Sequence, residues 1–414
     1  MQILIYTHGF APKIGGVETY VMLLAQGLAE SVQAGKDGLR VTVATPTPAE
    51  GNDDAALPFR VVRQPGLGRL IGLIREADVV HLAGPSILPL TLSLALRKPT
   101  AVEHHGYQAI CPNGLLLLEP DKTLCPGHFM ARHYGKCIAC NAAHQSWFTG
   151  LVKVFATFPR RWACRLASIN LPISDHVNRR QQLPRSQVVY YGIPDPRPQP
   201  PVIDRGNAND APPRMKTFAY VGRLVSEKGL PLLLEAAHYL RDGGHQFRLK
   251  FIGDGPERLR MEDLATTLDI RECVEFTGFL EGEALEKVMR TIDAVVMPSV
   301  WEETAGLSAI EQMMRGRLVV AADIGGLGEV VGEGGLKFPP GDIEGLASCL
   351  RRVLDEPDLA KALGKKARQR ALQLFLEERM VAEHLSVYRQ LLGGSGPSPE
   401  GPGAVGLPLG SSER

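Results

Sequence analysis

The sequence predicts an α/β protein with two domains, each built around a parallel sheet. Short apolar runs typical of buried strands alternate with helix-length segments along most of the 414 residues. A chain of this length exceeds what one hydrophobic core usually holds. Near its middle, residues 194–213 contain seven prolines, a composition that suits a linker between domains.

Six strands are predicted in each half. Those of the first half are Ile3–Thr7, Arg40–Thr45, Asp78–Leu82, Thr100–His104, Ile169–Ile173 and Gln187–Tyr190. Those of the second half are Thr217–Val221, Arg248–Ile252, Val274–Phe276, Ala294–Met297, Leu318–Ala321 and Leu336–Phe338. Parallel strands place their carboxyl ends along one edge, so motifs that follow the strands are expected to meet there.

The same patterns predict the domain boundaries. We expect a first domain over residues 1–194, a linker over 195–213 and a second domain over 214–376. Apolar residues at helical spacing then predict an amphipathic helix over residues 377–392, about four turns long. Residues 393–414 are rich in Gly, Pro and Ser and are predicted to be disordered.

Composition narrows the class of protein. The net charge is +1, so no bulk electrostatic attraction to nucleic acid is expected. Charged residues at 22% and hydrophobic residues at 44% are typical of soluble domains, and no apolar run approaches the roughly 20 residues that span a bilayer. The chain starts in a strand, without the basic start of a signal peptide. We expect a cytoplasmic protein, and any membrane contact to be peripheral, at the inner face.

Two carboxylates flank a strand-to-helix turn in the second half. Glu303 lies in the turn after a short apolar run, and Glu311 lies eight residues later on a predicted helix. The turn opens at the carboxyl edge of the sheet, where such sheets bind ligands. Carboxylates there can accept hydrogen bonds from ligand hydroxyl groups.

Three other motifs follow predicted strands. Gly15 and Gly16 open a helix, where backbone N–H groups can approach a phosphate. Arg223 and Lys228 follow the first strand of the second half, and each can neutralise phosphate charge. Gly253 begins a turn after the next strand.

Together these motifs resemble the retaining GT-B glycosyltransferases of glycosyltransferase group 1, family 4. The family's Glu-x7-Glu signature matches Glu303 to Glu311, and its Gly-Gly-x-Glu segment matches residues 15–18. Residues 221–229 resemble its donor-diphosphate segment. The resemblance implies two Rossmann-like domains that face each other across a cleft, with residues 377–392 crossing back to the first domain.

The resemblance also implies site residues. A nucleoside diphosphate sugar would lie on the second domain, with Glu311 on the ribose, Arg223 and Lys228 on the diphosphate, and Glu303 on the sugar. The donor-binding residues that it implies are Gly15, Gly16, Arg223, Lys228, Gly253, Glu303, Gly306, Leu307 and Glu311. No catalytic metal is expected.

His105 matches the histidine of the family's His-Asp pair in the first domain. The resemblance implies that it approaches the reacting centre as the cleft closes, so the implied catalytic residues are His105, Glu303, Arg223 and Lys228. Gly106 stands where the family has Asp, and Tyr191 stands where it usually has Asn. The first departure leaves the role of the acid without a counterpart, and the second bears on how the cleft would meet its acceptor.

The implied function is transfer of a hexose, with retention, to a hydroxyl of a glycan or glycolipid acceptor in cell-surface polysaccharide synthesis such as that of lipopolysaccharide. Two alternatives stay open. One is a nucleotide-sugar 2-epimerase of the same fold. The other is a catalytically silent nucleotide-sugar binding protein, because Gly106 and Tyr191 depart from the family pattern.

Four of the seven cysteines lie in a predicted insertion at about residues 106–150: Cys111, Cys125, Cys137 and Cys140. Thiolates at such spacing can hold a structural zinc ion, and in a reducing compartment a metal is favoured over disulfides. Packed free thiols are the alternative.

Basic and aromatic residues alternate just after this insertion, with Lys153, Arg160, Arg161 and Arg165 among Phe155, Phe158 and Trp162. This segment, with Leu115–Leu118, fits either an anionic membrane surface or a solvated helix face.

Overall fold

The computed structural model describes residues 1–13, 15–33, 38–51, 53–143, 145–196 and 215–393. These residues form two α/β domains, each with a six-stranded sheet. The predicted linker from residue 197 onward and the predicted disordered tail from residue 394 onward lie outside the described residues.

The first domain is formed by residues before the linker. Its strands are β1 (Gln2–Tyr6), β2 (Arg40–Thr45), β3 (Arg60–Arg63), β4 (Val79–Leu82), β5 (Thr100–His104), β6 (Leu117–Leu118), β7 (Thr123–Leu124) and β8 (Ile169–Pro172). Its helices are α1 (Gly16–Gln33), α2 (Leu67–Glu76), α3 (Ile87–Ala95), α4 (Tyr134–Ala142), α5 (Trp147–Leu166) and α6 (Asp175–Gln181). The short strands β6 and β7 pair with each other in an antiparallel hairpin, apart from the main sheet.

The second domain repeats this architecture. Its strands are β9 (Lys216–Val221), β10 (Phe247–Ile252), β11 (Val274–Gly278), β12 (Ala294–Met297), β13 (Leu318–Ala322) and β14 (Leu336–Phe338). Its helices are α7 (Leu230–Asp242), α8 (Arg258–Thr267), α9 (Gly282–Met289), α10 (Leu307–Met314), α11 (Gly325–Val331), α12 (Ile343–Asp355) and α13 (Leu359–Leu374), and α14 (Glu377–Leu391) follows.

The two sheets have the same topology. The first has the order β3-β2-β1-β4-β5-β8 and the second the order β11-β10-β9-β12-β13-β14, with parallel pairing throughout. The order reverses between β1 and β4, and again between β9 and β12. Loops that leave adjacent strands in opposite directions open a crevice at the carboxyl edge, which is where such sheets bind ligands.

Helices cover both faces of each sheet, so the central strands are buried. Every residue of β12 is buried, which explains why its sequence is an unbroken apolar run and not an alternating one. All of β5 is buried too, although it ends in the polar pair Glu103 and His104. Those two polar side chains therefore need partners inside the protein.

One strand prediction in the first domain is wrong, and one strand was missed. Gln187–Tyr190 runs beside β8 and donates Gln187 N–H to Asn170 O and Val189 N–H to Pro172 O. The bond between these two would need an N–H from Pro172 to reach Gln187 O, and proline lacks that group, so the pairing is incomplete. The sixth strand is instead β3, whose half-exposed residues at the sheet edge give only a weak apolar pattern.

The last helix, α14, follows the second domain in the chain but packs against α1 of the first. Its entry is fixed by a bridge between Ile193 and Leu376. Gly192 is required beside it, because a Cβ there would lie 2.6 Å from the Leu376 carbonyl oxygen. Among the described residues, no helix combines the length and the apolar character needed to span a bilayer.

Candidate functional site

The second-domain crevice is formed by the loop after β9 and the turn after β12. Gly229, with φ +65°, lies directly against the carbonyl of Pro298, where any Cβ would collide with that oxygen. This contact brings the preceding Lys228 to the turn, where its Nζ donates to Glu303 Oε1 at 2.9 Å. The structure thus brings two predicted catalytic residues into direct contact.

Glu303 is 6% exposed, and its charge is compensated locally. Its Oε1 accepts from Lys228 and also from the Ser299 hydroxyl. A buried carboxylate without such partners would be costly, so this pair stabilises the turn as well as the charge. For the second oxygen, Oε2, no hydrogen-bond partner is found in the part of the chain that the structure describes.

Glu311 lies on α10, which begins at Leu307 after Gly306. Gly306 has φ +84°, a left-handed conformation that glycine adopts at low cost. Burial raises the pKa of the Glu311 carboxyl, and Arg315 only partly opposes this. Within the described ranges its carboxylate has no hydrogen-bond partner, so it is free to accept one from a ligand.

Arg223 and Gly253 lie in the loops that follow β9 and β10. The Arg223 side chain is exposed, and its guanidinium has no hydrogen-bond or ion-pair partner among the described residues. Gly253, with φ +135°, packs so closely on Gly222 that a Cβ would collide with the Gly222 carbonyl. Both predicted residues therefore stand at the same edge as Lys228 and Glu303.

A cavity of about 540 Å³ occupies the corresponding crevice of the first domain. Its lining comes from the loops after β1 and β4 and from α1, α3 and α5, and includes Thr7, His8, Glu18, Gly84, Gln108 and Arg160. His105 also lines it. Of the predicted glycine pair, Gly16 begins α1, and Gly15 lies against the carboxylate end of the Glu18 side chain.

His105 faces protein partners through both ring nitrogens. Its Nδ1 lies 2.8 Å from the Tyr191 hydroxyl, and its Nε2 lies 3.3 Å from Glu103 Oε2. The side chain is only 5% exposed. In the sequence Tyr191 stands out only as a departure, and Glu103, although it begins the run that contains His105, has no predicted role, because a carboxylate inside an apolar strand belongs to no motif.

The turn that carries Glu303 also contacts the first domain. Tyr107, two residues after His105, donates its hydroxyl to Glu302 O at 2.9 Å, and Arg180 Nε donates to Glu302 Oε2 at 2.9 Å. Burial alone would raise the pKa of Glu302, but His176 and Arg180 outweigh it and hold that pKa below its ordinary value. Glu302 was not predicted from the sequence, because its partners come from the other domain.

A second carboxylate joins the domains beside this turn. The Glu329 carboxylate accepts hydrogen bonds from the backbone N–H groups of Asp175 and His176 at the start of α6, both at 2.8 Å. It also accepts from the Tyr190 hydroxyl at 2.6 Å. Two acidic side chains of the second domain thus fix its approach to the first.

The four cysteines of the insertion are buried free thiols. Asn113 lies between two of them, accepting from Cys111 at 2.9 Å and contacting Cys140 at 3.7 Å. Burial raises the pKa of Cys111, Cys137 and Cys140, that of Cys137 to about 12. A zinc ion would have to displace these protons and draw the sulfurs together, and zinc at this position remains a proposal.

One other group has the composition of a metal site. His81, Glu103 and His384 each offer a ligand atom, and these three atoms lie within 4.8 Å of one another. Among the described residues, no other group of at least three His, Cys, Asp or Glu side chains does so. All three side chains are fully buried. Their hydrogen bonds are treated below.

Part of the chain is similar to known glycosyltransferases. Residues 206–370 match the family described as glycosyl transferases group 1. The 2-deoxystreptamine glucosyltransferase of Streptomyces kanamyceticus is 30% identical over 255 residues, which are 57% of this chain and 64% of that protein. The match thus spans less than two thirds of that relative.

Solved structures share the whole fold. Sucrose-phosphate synthase from Thermosynechococcus elongatus superimposes with a TM-score of 0.67 at 24% identity, covering 95% of this chain and 99% of that one. Anabaena HepE in complex with UDP gives a TM-score of 0.67 at 21% identity, covering 93% and 100%. The predicted GT-B fold, two Rossmann-like domains across a cleft, is confirmed.

We predict that the insertion binds zinc through Cys111, Cys125, Cys137 and Cys140. Elemental analysis of untagged protein should find near-stoichiometric zinc, lost in Cys137→Ser and Cys140→Ser because the closed site needs all four thiolates. A chelator should lower the melting temperature before it changes ligand affinity, since binding to the folded state adds stability. Cys349→Ser, on α12, serves as the control and should keep the metal. Fresh reduced protein without metal would establish packed free thiols.

We predict that nucleotide-sugar affinity depends on pH through Glu311. Its raised pKa means that the carboxyl is protonated at a higher pH than an ordinary glutamate. The charged form is the better acceptor for ribose hydroxyls, so affinity should fall as pH is lowered through that pKa.

Glu311→Gln should bind roughly 10-fold more weakly at neutral pH and lose this acid limb. Calorimetric titration at several pH values tests this, with exposed Glu344→Gln as control. An acid limb that survives in Glu311→Gln would contradict the assignment.

Proposed function

We propose that this chain is a retaining glycosyltransferase that moves a hexose from a nucleoside diphosphate sugar to a hydroxyl of a glycan or glycolipid. The observation that carries the proposal is the Lys228–Glu303 contact at the second-domain crevice, with unpaired Arg223 at the same edge. A relative named as a glucosyltransferase and a fold neighbour bound to UDP support a sugar nucleotide as donor.

The chemistry follows from the charges at this edge. When the sugar leaves, negative charge grows on the diphosphate, and cations fixed beforehand stabilise it without reorganising. Arg223 is available for this because its guanidinium has no competing partner among the described residues. Lys228 offers a second cation, shared with Glu303, whose Oε2 is left to accept from a sugar hydroxyl.

The acceptor would enter from the first domain. The cavity beside His105 lies at the corresponding edge of the first sheet, and Tyr107 links this region to the turn that carries Glu303. Cell-surface polysaccharide synthesis in the cytoplasm, as for lipopolysaccharide, is the setting that we propose for this acceptor. Residues Tyr107 and Arg180 would hold the two domains together during transfer.

We predict that one class of sugar nucleotide stabilises the protein in a thermal-shift screen of UDP, GDP and ADP sugars. A ligand at 100 times its Kd adds about 2.7 kcal/mol of stability. With that donor and an acceptor, a transferase consumes the donor with retention at the anomeric carbon, which NMR of the product reads directly. An epimerase would interconvert the donor, and a silent binder would leave it intact.

Arg223→Ala sharpens this experiment. Its guanidinium is exposed, so its loss should leave stability unchanged while kcat falls roughly 10- to 100-fold, the value of one charge-assisted contact to the leaving group. Lys228→Ala is less clean because it also leaves Glu303 without its cation. Arg351→Ala, an exposed arginine on α12, is the matched control. Wild-type turnover in Arg223→Ala would remove the assignment.

Peripheral contact with a membrane belongs to the same proposal. One face of α5 exposes large apolar side chains, with Trp147 60%, Phe148 71%, Phe155 64% and Trp162 64% exposed. Aromatic residues in such a row are unusual at a soluble surface. The predicted contribution of Leu115–Leu118 is wrong for Leu116 and Leu117, which are each 1% exposed and belong to the core.

Charge and position favour an anionic bilayer as the partner of this face. Lys153, Arg161 and Arg165 lie on the same helix, and basic residues beside exposed aromatics are typical of interfacial helices. The opposite side of α5 borders the first-domain cavity, where Arg160 Nη1 donates to Gln108 O at 3.3 Å. A bilayer under α5 would therefore lie beside the entrance for a lipid-linked acceptor.

We predict that the protein co-sediments with vesicles that contain anionic lipid, and less with neutral vesicles or at high salt. A Phe148→Ser, Phe155→Ser, Trp162→Ser triple variant should lose binding because each side chain contributes about 1.5 to 3 kcal/mol when buried. Leu259→Ser with Phe279→Ser, equally exposed on the second domain, is the matched control. Equal sedimentation of the triple variant, or a dimer held by this face, would contradict the proposal.

A further inference from the structure

Glu103 is a buried carboxylate surrounded by three histidines. His81 Nε2 lies 3.1 Å and His105 Nε2 3.3 Å from its Oε2, and His384 Nε2 lies 3.6 Å from its Oε1. The side chains of Glu103, His81 and His384 are fully buried. The three histidines come from β4, from the end of β5 and from α14, so one carboxylate joins the first sheet to the last helix.

Three tyrosines complete the cluster. Tyr388 OH lies 3.0 Å from His81 Nδ1, Tyr20 OH 3.0 Å from His384 Nε2, and Tyr191 OH 2.8 Å from His105 Nδ1. Burial, and then the charge of Glu103, raises the pKa of each tyrosine, so each keeps its proton and can donate it.

The proton positions follow from these partners. Burial lowers the pKa of His81, so its ring is neutral with one N–H, which faces the carboxylate as Nε2–H. His384 must carry its proton on Nδ1, because that atom faces Met380 O, which can only accept. Burial alone would raise the pKa of Glu103, yet the histidines hold it well below its ordinary value, so the carboxylate is charged.

The same logic fixes His105. His105 Nε2 lies 3.3 Å from the charged carboxylate without the alignment of a hydrogen bond, so the attraction is electrostatic. It favours a proton on Nε2, and Nδ1 then accepts from the Tyr191 hydroxyl. The ring stacks on Tyr191 with 16° between the two planes and meets Tyr20 edge-on. His105 is thus held by Glu103 on one side and by aromatic rings on the others, at the wall of the first-domain cavity.

We propose that Glu103 is a positioning residue that fixes the orientation and the Nε2–H tautomer of His105, and that α14 is a working part of the first-domain site because it seats Glu103. A carboxylate that holds a histidine in one tautomer is a known way to prepare an imidazole for catalysis. The kinetic part rests on the proposed transferase function, whereas the tautomer can be measured without activity.

A metal ion is not needed to explain the cluster. Both ring nitrogens of His81 and both of His384 already face hydrogen-bond partners of the right kind. Of the carboxylate oxygens, Oε2 accepts from His81, and Oε1 has no hydrogen-bond partner among the described residues, so a metal would find one free ligand atom here. A metal bound here and lost in His384→Gln, detected by elemental analysis, would overturn the proposal.

Glu103→Gln tests the tautomer. His81 and His105 both face Oε2, so the amide either keeps an uncharged oxygen there or turns its NH₂ group toward them. In both cases the preference of His105 for a proton on Nε2 weakens, and the Nδ1–H tautomer should gain population. Ring ¹⁵N shifts in NMR report this move, with the signal assigned from His105→Gln. We expect kcat to fall on the order of 10- to 100-fold, as for a small misplacement of a reacting group, at unchanged donor KM.

His104→Gln is the matched control. His104 is the next residue of β5 and equally buried, but it bonds to Asn170 Oδ1 at 2.9 Å on the other side of the strand. It should lose stability and keep the His105 tautomer and kcat. If Glu103→Gln keeps the Nε2–H tautomer or wild-type kcat, or if His104→Gln lowers kcat equally, the positioning role is overturned.

Tyr388→Phe tests the helix. It removes the hydrogen bond to His81 and keeps the ring, so kcat should fall less than in Glu103→Gln. Since both changes act through one carboxylate, the double variant should be no worse than Glu103→Gln alone. Fully additive losses in this cycle would show that α14 acts independently of Glu103 and would overturn that part of the proposal.

Discussion

The site depends on how tightly the turn at residues 298–306 is packed against its neighbours. Gly229 lies against the carbonyl of Pro298, and Gly325 and Gly326 lie against the backbone of residues 302–305, each without room for a Cβ. Gly326 N–H also donates to Glu303 O at 2.6 Å. Backbone contacts on both sides leave the turn one shape, so the side chains that it carries have fixed directions.

Because the shape of the turn is fixed, its two neighbouring carboxylates have partners in different domains. Glu302 is held by Arg180 and His176 of the first domain, and Glu303 by Lys228 of the second. Any movement of the first domain acts on Glu302 and, through one peptide bond, on Glu303. The contacts that join the domains and the proposed donor position therefore lie on adjacent residues of a single turn.

Much of this was predictable because it follows from local pattern. Apolar runs identified eleven of the twelve main strands, since buried parallel strands are continuously hydrophobic. Because the carboxyl ends of these strands share one edge, Lys228 and Glu303 were expected to meet although 75 residues separate them. The errors lay at edges: β3 is half-exposed, and Gln187–Tyr190 fails to pair fully because of Pro172.

The Glu103 cluster was not predictable from the sequence. Its partners include His81, 22 residues before it, and Tyr388 lies 307 residues from that histidine. No spacing rule joins them, and only the return of α14 to the first domain does so. Likewise Glu302 has no signature, because its partners belong to the other domain.

Two buried carboxylates, Glu303 and Glu103, have different kinds of partners in this fold. Glu303 is paired with the ammonium group of Lys228, so its negative charge is matched and one oxygen remains for a ligand. Glu103 is surrounded by imidazoles and phenols, and the hydrogen bonds among them assign each proton to one atom. In the second domain the charged side chains are therefore held in place, which suits a phosphate-bearing ligand. In the first domain the position of each proton is fixed, which suits the side of the cleft where the acceptor hydroxyl group would have to lose its proton.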